Sequence, residues 1–362
     1  MVSTPILFLD GGLGTSLEDE YGIQFTETTP LWSSDLLLSD PNTLKSCQRD
    51  FAQVPVDILL TATYQVSAEG FQRTKTESFP NGVSRSAIPS FLDDAVSIAE
   101  QVKRPTTMIA LSLGPYGAVM TPGQEYSARY DDHHNSTDKL FCWHADRMNL
   151  FSSIPRLDTR IQFVAFETVP RLDEILAIRR LTARDALPSE CSDTFGSLGR
   201  TPYWISCVFP TDQTLPDGSN VGQVIRALLS SEYSDRPPWG IGINCTKIAK
   251  LPDLVRAYRD NVKLLEDEGH LHSWPSLLLY PDGTNGEVYD MATKTWRLPT
   301  GQKAVSGESS WEKQLADVVA REQSRGCWRT IIAGGCCKAS HSAISKLRAQ
   351  VQRDVLRDSV TS

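Results

Sequence analysis

Residues 330–337 read Thr330-Ile331-Ile332-Ala333-Gly334-Gly335-Cys336-Cys337, a short apolar run that stops at two glycines and two adjacent cysteines. The run is too short for a helix, and its β-branched content suits a strand buried on both faces. The pattern recurs upstream at Ile6–Asp10, Val56–Thr61, Thr107–Leu113, Ile161–Glu167, Tyr203–Phe209, Trp239–Asn244 and Ser276–Tyr280. Between these runs lie segments with helical spacing, among them Asn42–Val54, Ala87–Val102, Leu172–Leu181, Val221–Leu229, Leu254–Glu266 and Trp311–Gln323. Asp40-Pro41-Asn42 opens the first, and Ser340 precedes a last helix with Ala343, Ile344, Leu347 and Val351 on one face. Strands alternating with helices imply a parallel sheet, and eight repeats favour a closed (β/α)8 TIM barrel over an open doubly wound sheet. One domain over 1–362 is expected, with 183–202 and 281–310, rich in Gly, Ser, Pro and Asp, as surface loops.

Composition narrows the function. The net charge of −8 offers no basic field for nucleic acid or anionic lipid, so small-molecule chemistry is expected. Residues 1–9 lack a basic n-region and run straight into Asp10, and no stretch is long and apolar enough to span a bilayer. The expectation is a cytoplasmic protein, a monomer or small homo-oligomer, whose eight cysteines are mostly reduced.

A parallel barrel brings all strand C-termini to one mouth, where barrel active sites lie. The reactive residues cluster at those ends: Asp10-Gly11-Gly12, Thr61 with Tyr64, Gly114-Pro115-Tyr116, Glu167-Thr168, Asn244-Cys245-Thr246 and Cys336-Cys337. Three thiolates from Cys245, Cys336 and Cys337 could hold one tetrahedral Zn2+ per chain with its fourth position open, an arrangement that suits catalysis. The plainer reading is three small buried hydrophobes, but adjacent cysteines seldom serve packing. The other five are assigned to core, helix or loop, and His133-His134 beside two aspartates to a solvated loop. Asp10 and Glu167 could accept from a substrate ammonium, and the amides of Gly11 and Gly12 could take its carboxylate. An amino acid carrying a thiol would satisfy all these groups at once.

FLDGGLGTSLE, TATYQVS, LGPYGA, FETVPRLDE, INCT and GGCC, in this order, resemble the homocysteine S-methyltransferase family over essentially the whole chain, and YPDGTNGEVYD resembles its loop after the seventh strand. The resemblance implies zinc on Cys245, Cys336 and Cys337, an amino-acid site using Asp10 and Glu167, and homocysteine as methyl acceptor. The implied donor is a sulfonium, S-methylmethionine first and S-adenosylmethionine second, with Tyr64, Tyr116 and Tyr126 as aromatic faces for its charge. Three positions depart from the family's habit: Ala62 where Asn is common, Lys247 where Pro follows the asparagine–cysteine motif, and Lys338-Ala339 after the paired cysteines.

Three other readings compete. Asp10-Gly11-Gly12-Leu13-Gly14 after a strand also fits an open-sheet S-adenosylmethionine methyltransferase, which would bind donor tightly without zinc. A non-catalytic barrel storing or sensing zinc or a thiol amino acid would bind both without turnover. A redox role for the Cys336–Cys337 pair would be at odds with stable zinc binding.

Overall fold

The computed structural model describes residues 3–26, 29–183, 198, 200–211, 213–284, 287–290, 295–298 and 310–361. Eight parallel strands form the central sheet: β1 (Ile6–Phe8), β2 (Ile58–Leu60), β3 (Met108–Leu113), β4 (Phe163–Val169), β5 (Tyr203–Cys207), β6 (Gly240–Lys247), β7 (Ser276–Asp282) and, after a small ribbon, β10 (Ile331–Ala333). The strand order is β1-β10-β7-β6-β5-β4-β3-β2. A parallel bridge from Leu9 to Ile58 and an Asp57 N–H donated to the Phe8 carbonyl (2.7 Å) bring the two end strands together. The open-sheet alternative is thereby excluded.

Two apolar layers follow from strands that are buried on both faces. Inside the barrel, Leu9, Ile58, Ala110, Phe163, Ala165, Trp204, Leu278, Tyr280 and Ile332 pack together. Large rings fit there because small residues face them. A Cβ on Gly242 would lie 2.2 Å from Ser206 Oγ, and one on Gly240 would lie 2.5 Å from Leu278 Cδ1. The larger outer layer lies between strands and helices, where burying each aliphatic side chain contributes about 1.5–3 kcal/mol.

All six helices expected from spacing are present. Asp40 caps Pro41–Gln53 by accepting from the Thr43 N–H (3.0 Å), and Ser340 Oγ accepts from Ala343 N at the start of the last helix, His341–Thr361. The structure adds Leu13–Tyr21, which opens directly after the glycine pair, and Thr137–Ser152. The second of these buries His144 and Arg147 along with its apolar residues, which blurs the amphipathic pattern. Within 281–310, expected to be loop, Val288–Asp290 (β8) pairs antiparallel with Thr295–Arg297 (β9). Most of 183–202 and much of 281–310, with Cys191, fall outside the described residues. No described helix is long and apolar enough to cross a membrane.

Candidate active site

The strand ends do converge. A cleft at the C-terminal mouth is bordered by Asp10, Gly11, Gly12, Thr61, Tyr64, Tyr126, Glu167, Cys245, Cys336 and Cys337, all expected from the sequence. The three sulfurs lie within 4.8 Å of one another, and no fourth Cys, His, Asp or Glu joins them among the described residues. Cys245 and Cys336 are joined as a disulfide, their Cα atoms 5.5 Å apart. Burial, with Asp282, Glu125 and Glu18 adding to it, pushes the free Cys337 thiol up to about 12.

Local backbone geometry aims these sulfurs. Cys245 has φ +47° and Thr168 φ +60°, both at register shifts where β6 and β4 bulge. Each such non-glycine residue costs about 1–2 kcal/mol, and bulges of this kind re-aim side chains. Asn244 pins both: its Oδ1 accepts from the Thr168 N–H (2.8 Å), and its Nδ2 donates to Thr168 Oγ1 (2.7 Å) and to Cys245 Sγ (3.5 Å). The Thr168 hydroxyl also points at that sulfur, at 3.8 Å. Asn244 and Thr168 were legible as strand ends, but not as a clasp on the thiol.

The Cys336–Cys337 turn is clamped by main chain. Gly335 N donates to the Asp10 carbonyl (3.0 Å), Cys336 N to that of Pro281 (2.9 Å), and Gly283 N to that of Cys337 (2.7 Å). Gly12 N–H donates to the Ala339 carbonyl (3.0 Å), so it is not available for a substrate carboxylate, a correction to the sequence expectation. Gly11 and Gly12 are instead needed for close approach: added Cβ atoms would lie 2.1 Å from the Ala339 oxygen and 2.5 Å from that of Cys336.

Asp10 and Glu167 are each 4% exposed. Asp10 Oδ2 accepts from Leu60 N (2.9 Å), while its buried Oδ1 has no partner among the described residues. Ser112 Oγ and the Tyr280 hydroxyl donate to Glu167. Burial holds Asp10 well above the usual carboxylate range and Glu167 at about 7 despite these bonds. Thr61 borders the cleft, but its hydroxyl already accepts from Ser112 N (3.1 Å) and lies 2.6 Å from that of Thr63, so it props the carboxylate shelf.

Tyr116 is not in the cleft. Its ring stacks on His134 at 4.0 Å between centroids and its hydroxyl donates to Asp131, which leaves Tyr64 and Tyr126 as the tyrosines of the three that border the site. Trp32, Trp296 and Glu125 also line it, and the spacing gave no signal for them because separate segments outside the barrel strands deliver them. His134 pairs with Asp131 (3.0 Å), in keeping with a loop rather than a metal site. The two lysines that depart from family habit point elsewhere: Lys247 pairs with Asp282 (3.2 Å) and Lys338 with Asp19 (2.7 Å). Among the described residues the lining therefore holds three carboxylates and no lysine, arginine or histidine.

The donor set fits zinc. With Zn–S bonds of ~2.3 Å, tetrahedral thiolates sit about 3.8 Å apart, a spacing the three sulfurs can take within their cluster once reduced. Three soft donors, with no fourth protein ligand among the described residues, would leave a bound zinc one coordination position for a substrate atom.

A family model described as homocysteine S-methyltransferase matches residues 7–351. A homocysteine S-methyltransferase of Escherichia coli is 28% identical over 95% of this chain and 95% of its own length. The homocysteine S-methyltransferase YbgG of Bacillus subtilis is 26% identical over 95% and 94% respectively. The metallated crystal structure of the homocysteine methyltransferase MmuM from Escherichia coli shares the fold, with a TM-score of 0.64, 24% identity, and coverage of 95% of this chain and 96% of that one. This chain belongs to the homocysteine S-methyltransferase family.

Proposed function

We propose that the chain, read as one homocysteine-binding barrel, transfers a methyl group from a sulfonium donor to the sulfur of L-homocysteine, giving methionine, with zinc held by Cys245, Cys336 and Cys337 in their reduced form. The observation that carries this reading is the meeting of three sulfurs and two buried carboxylates from different strand ends in one cleft. When bound there, zinc supplies a Lewis-acid site at which a substrate thiol ionises at neutral pH; a free thiol, with a pKa near 8.5, is mostly protonated.

The chain's own residues do the rest. Asp10 Oδ1 offers an unmatched acceptor for the homocysteine ammonium, and Glu167 stands with it as the second carboxyl group. The helix Leu13–Tyr21 begins at the cleft with no side-chain cap, so its first-turn amides suit the substrate carboxylate. Asn244 and Thr168 donate toward Cys245 and favour its thiolate. In the transfer, the acceptor thiolate attacks the sulfonium methyl in line, the new C–S bond forms, and the old bond's electron pair returns to the leaving sulfur. The leaving group is a neutral thioether and needs no proton, which suits a cleft with no histidine among its described lining residues. Positioning both partners can supply several kcal/mol of the barrier reduction.

S-methylmethionine is the first choice of donor and S-adenosylmethionine the second. The test is zinc content of the reduced, purified protein, paired with homocysteine methylation using each donor separately. One zinc per chain with methionine formed supports the proposal, and the ratio of rates identifies the donor. Zinc and homocysteine binding without turnover on either donor would favour a binding protein instead.

A further inference from the structure

Homocysteine brings one ammonium, and Asp10 with Glu167 already faces it. The cleft holds a third carboxylate that this leaves over. Glu125 lies in the connection after β3, where Gln124 N donates to the Gly117 carbonyl and Ala128 N to that of Gln124, both at 2.8 Å. It is 7% exposed, borders the cleft next to Tyr126, and its buried Oε2 has no hydrogen-bond partner among the described residues. Its charge is close enough to the hydroxyls of Tyr64 and Tyr126 to disfavour their ionisation. A buried carboxylate oxygen without a partner is costly, and an apolar residue would fill the same space without that cost. No lysine, arginine or histidine of the lining offsets it among the described residues. The missing counter-charge therefore belongs to a ligand, and the amino-acid acceptor has no second cation to give.

We infer that Glu125 is the counter-charge for the sulfonium of the methyl donor, with the Tyr64 and Tyr126 rings completing an acidic and aromatic subsite that selects cationic donors over neutral thioethers. The inference rests on the reading that the chain methylates homocysteine from a sulfonium. Its consequence is specific to the direction of the reaction. The donor carries its positive charge when it binds and loses it when the methyl group leaves. The Glu125 pairing thus holds the donor and releases the demethylated product. Because that pairing weakens toward the transition state, its removal acts on donor binding more than on the chemical step.

The experiment compares zinc-loaded, reduced wild type with E125Q, E125A and E125D, using S-methylmethionine and S-adenosylmethionine in turn. In E125Q and E125A the donor KM is expected to rise about tenfold or more, the scale of losing one partner of a buried ion pair, while kcat and the homocysteine KM change little. E125D should recover part of the loss. Inhibition by the matching neutral thioether, methionine or S-adenosylhomocysteine, should be unaltered, an outcome that a merely structural role would not give. Folding is checked by thermal melting, where E125Q should be at least as stable as wild type. An unchanged donor KM overturns the inference, as does a rise confined to homocysteine. Full rescue by Gln with loss in Ala overturns it too, since a protonated, hydrogen-bonding carboxyl would then be the active form. A wild type inactive with both donors would instead bring down the reading of the reaction, whatever the variants do.

Discussion

The close approach of the first strand loop to the paired cysteines makes Gly12→Ala a sharp perturbation. Gly12 has φ −75° and ψ 86°, so alanine suffers no left-handed strain there, and the effect isolates the added methyl group. That Cβ would lie 2.5 Å from the Cys336 carbonyl oxygen and 2.6 Å from Thr15 Oγ1. The hydroxyl can rotate away, but the carbonyl belongs to the turn that carries both sulfurs. Restoring a 3.0 Å contact requires a shift of at least 3.0 − 2.5 = 0.5 Å. Metal–ligand distances tolerate about 0.2 Å, so a shift of this size must be taken out of zinc affinity or out of the backbone bonds around the turn. Overpacking of this kind costs about 1–3 kcal/mol, and the same amount charged to zinc binding lowers affinity by about 5- to 150-fold. The assay is competition for zinc against a chromophoric chelator, with circular dichroism confirming that the barrel is folded. A folded G12A that keeps wild-type zinc affinity would refute the role of this contact.

Other perturbations test neighbouring parts. Asn244→Ala removes the clasp on Thr168 and Cys245; zinc affinity should fall about 10- to 100-fold, as measured by the same competition, with circular dichroism showing the barrel intact. Glu174 accepts from Tyr116 N (2.7 Å), His144 Nε2 (2.9 Å) and the Tyr130 hydroxyl (2.5 Å) beneath the β3 connection, so Glu174→Ala should destabilise the fold by about 3–5 kcal/mol in urea titrations. Stability of the metal-free protein should depend on pH. Burial raises Glu125 and Glu167 from 4.5 to about 7, so the folded chain holds protons that the unfolded chain has released between these values. Stability is then greatest below the unfolded value and declines as pH rises toward 7, by up to ~3 kcal/mol for each group. The melting temperature of the doubly substituted E125Q/E167Q protein should fall less over pH 5 to 7.5 than that of wild type; parallel slopes would contradict the assignment.

The eight strands and their convergence were readable because a strand buried on both faces leaves an unbroken apolar run, and a parallel barrel then fixes which ends meet. β6 and β7 run past Asn244 and Tyr280 because the chain bulges at Cys245 and resumes pairing at Lys247 and Asp282, a polar continuation that hydropathy does not mark. Loop side chains were harder to read. Tyr116 and Tyr126 flank the same connection, yet Tyr116 is claimed by Asp131 and His134 while Tyr126 lines the cleft. Gly12 keeps its place near the site, but its amide is spent on Ala339, more than 300 positions away. Glu125 had no motif of its own, and only the folded loop shows it as a buried carboxyl group with one oxygen unpartnered. Direction in these segments is set by non-local hydrogen bonds, which spacing cannot encode.

X-ray absorption at the zinc edge of the reduced, zinc-loaded protein, before and after addition of homocysteine, tests most directly whether the three cysteines form the reaction centre. Three sulfurs at ~2.3 Å, rising to four when homocysteine is added, is the predicted result. Fewer than three sulfurs, or a count that homocysteine leaves unchanged, would contradict it.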